Sequence, residues 1–106
     1  MSAERTKKLD EITRLCTDIE HQVETGNWDI AGQLLSRRHQ LLEEAFAEPV
    51  ETQADVEELQ IIAEQVMAFD AELMPLADAA RGEAVKDLKK LRRGRNAAAA
   101  YKQISS

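Results

Sequence analysis

DVEELQIIAEQVMAFDAELMPLADAARGEAVKDLKKLRR, residues 55–93, decides the fold. Within it Leu59, Ile62, Val66, Phe69, Leu73, Leu76 and Ala80 recur at spacings of three and four. That repeat places side chains on one face of a helix with 3.6 residues per turn. At a rise of ~1.5 Å per residue this helix would measure roughly 55–60 Å, and each of the two helical stretches before it only roughly 30 Å. About half of the third helix is therefore expected to have nothing from its own chain to pack on unless it folds back.

The rest of the composition agrees with a helical chain. Its 106 residues suit one domain, aromatics are scarce at 4 %, and Gly (4) and Pro (2) are few. No run of β-branched or aromatic residues alternates between turn signals, so no strand is expected. The predicted fold is all-α: an antiparallel three-helix bundle with a long, overhanging third helix and a short C-terminal tail. Helices are expected at about 4–25, 28–47 and 54–93, with a short helical segment at about 96–103. A net charge of −6 disfavours general nucleic-acid binding. The charge is uneven, however. Residues 86–95 hold six Lys or Arg and one Asp, a local +5, so the remainder carries −11. No apolar h-region opens the chain and no long apolar run follows, which predicts neither a signal peptide nor a membrane span. With its single cysteine, Cys16, the chain is expected in a reducing cytoplasm.

Outward from the deciding stretch, the first helix carries Leu9, Ile12, Cys16, Ile19 and Val23 on a heptad-like seam, widened by Leu15. Cys16 reads as a small buried hydrophobe on that face. Ser2 or Thr6 is the expected cap. Gly26 is expected to end the helix in the left-handed conformation, and Asn27 to cap the next one. So short a connection implies a helical hairpin. In the second helix Trp28, Ala31, Leu34, Leu35, Leu41, Leu42, Ala45 and Phe46 form a broad apolar stripe, with Arg38 near its middle. A charge there must snorkel outward, meet a carboxylate or serve a ligand, the first two being favoured. Residues 47–54 read as a loop, and Thr52 with Asp55 resembles a capping pair at the start of the third helix.

The third helix has a second, weaker stripe of Val56, Ala63, Met67 and Met74, which suits either another core face or a groove for a partner helix. Pro75 predicts a kink rather than a full stop. The basic patch of Lys86, Lys89, Lys90, Arg92, Arg93 and Arg95 reads either as a solvated helix end matched to the dipole or as a docking site for acidic protein. Gly94 is expected to pause the helix.

Motifs for chemistry are missing from the sequence. It has no glycine-rich phosphate loop, no paired Cys and no H-E-x-x-H signature, and His21 and His39 lie on different helices without ligand spacing. No catalytic residue, metal ligand or cofactor is predicted, and the chain is not expected to be an enzyme.

Three features carry a family resemblance: the turn Gly26-Asn27-Trp28-Asp29; the run from Leu34-Leu35 through Arg38 to Leu41-Leu42-Glu43; and Arg93-Gly94-Arg95 followed by Ala100-Tyr101. In this order, with the long third helix, the sequence resembles the FliT-type flagellar export chaperones over nearly its whole length. The resemblance implies a cytosolic chaperone that holds the C-terminal segment of the filament-cap protein, FliD, before type III export. It also implies contacts with the export ATPase complex and, in some bacteria, with the flagellar master transcription regulator. A client segment would lie beside the second and third helices in a helix-in-groove mode, with Ile61, Met67, Met74, Val85, Leu88, Leu91 and Tyr101 as candidate contacts. The competing expectations are a homodimer in which two third helices pair along Leu76, Ala80, Ala84, Leu88 and Leu91, and a regulator that uses residues 86–95 on DNA.

Overall fold

A computed structural model describes residues 3–105, with side chains to residue 95. Its three helices are α1, Ala3–Glu24; α2, Trp28–Ala47; and α3, Gln53–Ser105. The chain divides into two compact units, Met1–Phe69 and Asp70–Ser106. The first unit holds α1, α2 and the opening turns of α3; the second consists of the remainder of α3.

The first unit is an all-α helical bundle. Leu9, Ile12 and Leu15 from α1, Leu41 and Ala45 from α2, and Ile62 and Val66 from α3 form its core, and half-buried Leu34 and Leu42 pack against them. Ala31 and Ala45 are fully buried, and such small side chains let α1 and α2 approach closely. Arg5, in the first turn of α1, reaches Ala45 near the end of α2, so these two helices run in opposite directions. Thr6 donates to Glu58 at 3.1 Å, which brings the start of α1 beside the start of α3.

The turns follow from local chemistry. Gly26 has φ +78°, the left-handed region that only glycine enters at no steric cost. The Asn27 amide donates to Gln22 O at 2.8 Å and the Gly26 amide to Val23 O at 3.1 Å, which is the paired bonding of a Schellman C-cap. Asn27 sits at the N-cap of α2 but makes no side-chain cap bond. Its Nδ2 donates instead to Gln22 Oε1 and Thr25 Oγ1, both at 3.1 Å. At the start of α3 the capping pair forms as expected. The Asp55 amide donates to Thr52 Oγ1 at 3.2 Å, while Asp55 Oδ2 accepts from the amides of Glu51 at 3.1 Å and Thr52 at 3.2 Å.

Besides the Asn27 cap, four expectations are corrected. Thr6 lies inside α1 and bonds Glu58, so it does not cap the helix; Ser2, the alternative, lies outside the described residues. Cys16 is only half-buried, and its Sγ lies 3.7 Å from Arg38 Nη1, a polar contact rather than a purely apolar setting. Arg38 does not snorkel: it is 6 % exposed, with its guanidinium carbon 5.7 Å from the centre of the Phe69 ring, a cation–π arrangement. Finally, α3 continues without interruption through Gly94 to Ser105, so there is no break and no separate segment at 96–103. Glycine in a helix interior costs only about 1 kcal/mol relative to alanine, and the neighbouring Lys, Arg, Leu and Ala residues are strong helix formers. Pro75 also lies within α3 without ending it.

A buried arginine joins the pieces of the first unit. Arg5 is 1 % exposed. Its Nη2 donates to the carbonyls of Glu48 at 2.9 Å and Pro49 at 2.7 Å, and its Nε to Ala45 O at 3.4 Å. It also pairs with the carboxylates of Glu48 at 3.5 Å and Asp55 at 3.4 Å. One side chain thus joins α1, the end of α2, the loop and the start of α3.

Removing a partner from such a buried, charge-assisted network strands the others. Arg5→Ala is expected to lower unfolding free energy by about 3–5 kcal/mol, against about 0–1 kcal/mol for Lys8→Ala in the more exposed pairs with Glu44 and Glu48, as read by urea titration. Asp55 supplies a pH dependence. Its carboxyl is held below the ordinary value of 3.8, first by the Glu51 amide; burial opposes this, and Thr52 adds to it. A depressed folded-state value adds stability that is complete above the unfolded-state value and is lost as pH falls through the folded one. Stability measured from pH 6 down to pH 2 should therefore drop below about pH 4, and Asp55→Asn should flatten part of that drop.

Candidate partner-binding surface

The weaker stripe of α3 is not a core face: three of its four members are exposed, and two of the four, Ala63 and Met67, line a groove. Met67 is 71 % exposed, and Val56 and Met74 are exposed as well. Within the first unit, Ala63, Val66 and Met67 of α3 and Leu42 and Phe46 of α2 line an open apolar groove of about 370 Å³, with His39 and Glu43 at its rim. Phe46, expected in the apolar stripe of α2, is 49 % exposed there. His39 Nε2 and Glu43 Oε1 lie 2.8 Å apart one helical turn from each other, so the rim is polar where the floor is not. The groove follows from spacing: Val66 turns inward to the core, while Ala63 and Met67 fall on the flank of α3 beside α2.

Ile61, grouped with Met67 on sequence grounds, lies elsewhere. It lines a smaller cleft of about 160 Å³ between α1 and α3, with Leu9, Thr13, Glu58, Ile62 and Gln65. Met67 comes six positions after Ile61, about 120° around a helix, so the two face different neighbours of α3.

In the second unit the candidate residues are exposed. Met74 is exposed, as are Leu76, Val85, Leu88 and Leu91. Tyr101 lies outside the described side chains. Lys86, Lys89, Lys90, Arg92, Arg93 and Arg95 are all exposed. Their dipole-matching explanation weakens once α3 is seen to run to Ser105, since Arg95 is then ten residues short of the helix end. The favourable field of the helix C-terminus falls off within the last turn, so it does not account for cations at 86–95.

The surface is suited to holding an apolar segment. No group of His, Cys, Asp or Glu among the described residues is arranged to hold a metal ion. No described helix is long and apolar enough to cross a membrane. Sequence reasoning missed Arg5 and Phe46 as defining positions. Arg5 stands four residues before Leu9, on the same seam, and that spacing was the available signal.

Because the groove wall and the row on α3 are solvated, charge placed there should leave the fold intact. Met67→Asp and Leu88→Asp are each expected to change unfolding free energy by less than about 0.5 kcal/mol. Leu41→Ala, in the core, should cost about 2–5 kcal/mol in the same urea titration.

The family model described as "Flagellar protein FliT" matches residues 6–103. No curated protein and no solved structure matches the chain. With nearly its whole length matched, the chain belongs to the FliT family of flagellar proteins.

Proposed function

We propose that this protein is a flagellar export chaperone acting in the cytoplasm, which binds the C-terminal segment of the filament-cap protein and delivers it to the export apparatus. The observation that carries this reading is the open α2–α3 groove, floored by Leu42, Phe46, Ala63, Val66 and Met67, in a chain of the FliT family. An export client must be kept from collapsing or aggregating before it is threaded, and an apolar groove with a polar rim shields an amphipathic segment by helix-in-groove docking. Met67 suits this task, because an unbranched thioether repacks against different side chains at little strain. The exposed row of Val85, Leu88 and Leu91 on the later part of α3 offers a further apolar contact surface.

Magnitudes support transient binding. Burying an aliphatic side chain contributes roughly 1.5–3 kcal/mol. A few anchors, less the entropy lost on association, give a Kd in the micromolar range, tight enough to hold a client and weak enough to release it. Contacts with the export ATPase complex and with a flagellar transcription regulator belong to the same reading as further partners, for which exposed residues 86–95 are the candidate surface. That surface would select acidic protein.

A labelled peptide from the C-terminus of the cap protein tests the proposal by fluorescence anisotropy. The expected result is micromolar binding, weakened at least about tenfold by Met67→Asp with far-UV circular dichroism unchanged. Absence of binding at about 100 μM peptide would refute it.

A further inference from the structure

We propose that the cleft between α1 and α3 is a second docking site, which takes a lysine or arginine side chain presented by a basic amphipathic helix of another protein. The cleft lies within the first unit. Its volume of about 160 Å³ is well below the roughly 300–1,000 Å³ of small-molecule sites and is on the scale of one long side chain. Leu9, Ile61 and Ile62 supply an apolar floor, and Ile61 is 55 % exposed. Asp10 on α1 and Glu58 on α3 are the charged members of the lining, and no Lys or Arg lines the cleft.

The other side of α1 shows what this side lacks. Toward α2, Lys8 pairs with Glu48 at 3.3 Å and Arg37 with Glu11 at 3.6 Å. Toward α3, Glu58 Oε1 accepts from the Thr6 hydroxyl at 3.1 Å, while Glu58 Oε2 is shielded from solvent and meets no hydrogen-bond donor. A carboxylate oxygen withdrawn from water without a donor is costly, and a cation brought beside it offsets that cost. The first unit holds six Lys or Arg and fifteen Asp or Glu, a net −9, which draws a basic segment toward it.

The lining also selects the form of the cation. A Lys or Arg lays its methylene stem on the apolar floor and extends its charged head to the carboxylates of Asp10 and Glu58. A free metal ion or small amine would leave Ile61 in water. On a partner helix, an aliphatic residue one turn from the basic one covers Ile61, because side chains at i and i+4 share a face. The cleft and the α2–α3 groove lie on different flanks of α3, so filling one leaves the other open.

The proposal is independent of the cap-protein reading and is tested without any client. The probe is a synthetic amphipathic helix of about 18 residues built from Ala, Leu and Lys, compared with a twin that has Glu in place of Lys. Each is titrated into the isotope-labelled full chain and followed by NMR. The Lys peptide should bind with a Kd of about 10–500 μM, and the Glu twin should not bind. The amides of Asp10, Thr13, Ile61 and Gln65 should shift, and those of Leu42 and Phe46 should stay in place. Binding should weaken at least about tenfold between roughly 0.05 and 0.5 M salt. Asp10→Asn with Glu58→Gln should weaken it at least about tenfold, whereas Asp18→Asn with Glu24→Gln, which removes the same charge elsewhere on α1, should change it less than about twofold. Should Glu58→Gln loosen the fold, Asp10→Asn with Ile61→Ser takes its place. Shifts confined to the α2–α3 groove overturn the proposal, as do equal losses in the two double variants, equal binding of the Glu twin, or no binding at about 1 mM peptide.

Discussion

The guanidinium of Arg5 is the interaction on which the first unit depends. Buried to 1 % exposure, it bonds the carbonyls of Ala45, Glu48 and Pro49 and pairs with the carboxylates of Glu48 and Asp55. A buried charge is tolerated only when it is compensated, and here Nε and Nη2 donate to carbonyls while Nη1 lies 3.4 Å from Asp55, so three different chain segments take part. The consequence is geometric. With the start of α3 held beside the first turn of α1, Ile62 and Val66 fall onto Leu9, Ile12 and Leu15, and the core closes. Asp55 serves two purposes: it caps α3 with Thr52 and receives Arg5, so the cap and the ion pair stand or fall together.

The groove follows from the same register. Once Val66 faces the core, helical spacing leaves Ala63 and Met67 on the flank toward α2, where Leu42 and Phe46 supply the other wall. Neither α1 nor the loop covers that flank, so Phe46 and Met67 are exposed. A chain selected only for stability would place polar residues there. A thioether and a phenyl ring facing water beside an apolar floor are the features on which the proposed client contact rests.

Much of this was legible in the sequence because it rests on spacing. The three helices, the Gly26 turn and the Thr52–Asp55 cap each have a local signal, namely a 3.6-residue period, a residue that alone tolerates positive φ, and an oxygen three residues from an amide. What escaped depends on neighbours. Periodicity places Val56, Ala63, Met67 and Met74 on one flank, but whether a helix covers that flank is decided by the crossing of α2 and α3. Arg5 escaped because its charge suggests solvent even though its position, one turn before Leu9, is on the seam. Arg38 was legible as a charge within the apolar stripe, but not its contacts with Cys16 and Phe69, which come from two other helices. The expected break at Gly94 failed because a single glycine is a small penalty amid good helix formers. FliT membership was legible as a resemblance of ordered motifs, and the match over residues 6–103 establishes it.

The central claim is that the wall of Met67 stands open to solvent in the isolated chain. The most direct measurement is the rate at which hydrogen peroxide oxidises Met67, followed by mass spectrometry on protein dilute enough to be free of partners, with a short unfolded peptide of the same sequence as reference. Thioether oxidation tracks exposure, so a rate within about threefold of the peptide is predicted. A rate slowed by more than about tenfold would mean that the chain covers its own groove, and the account would be wrong.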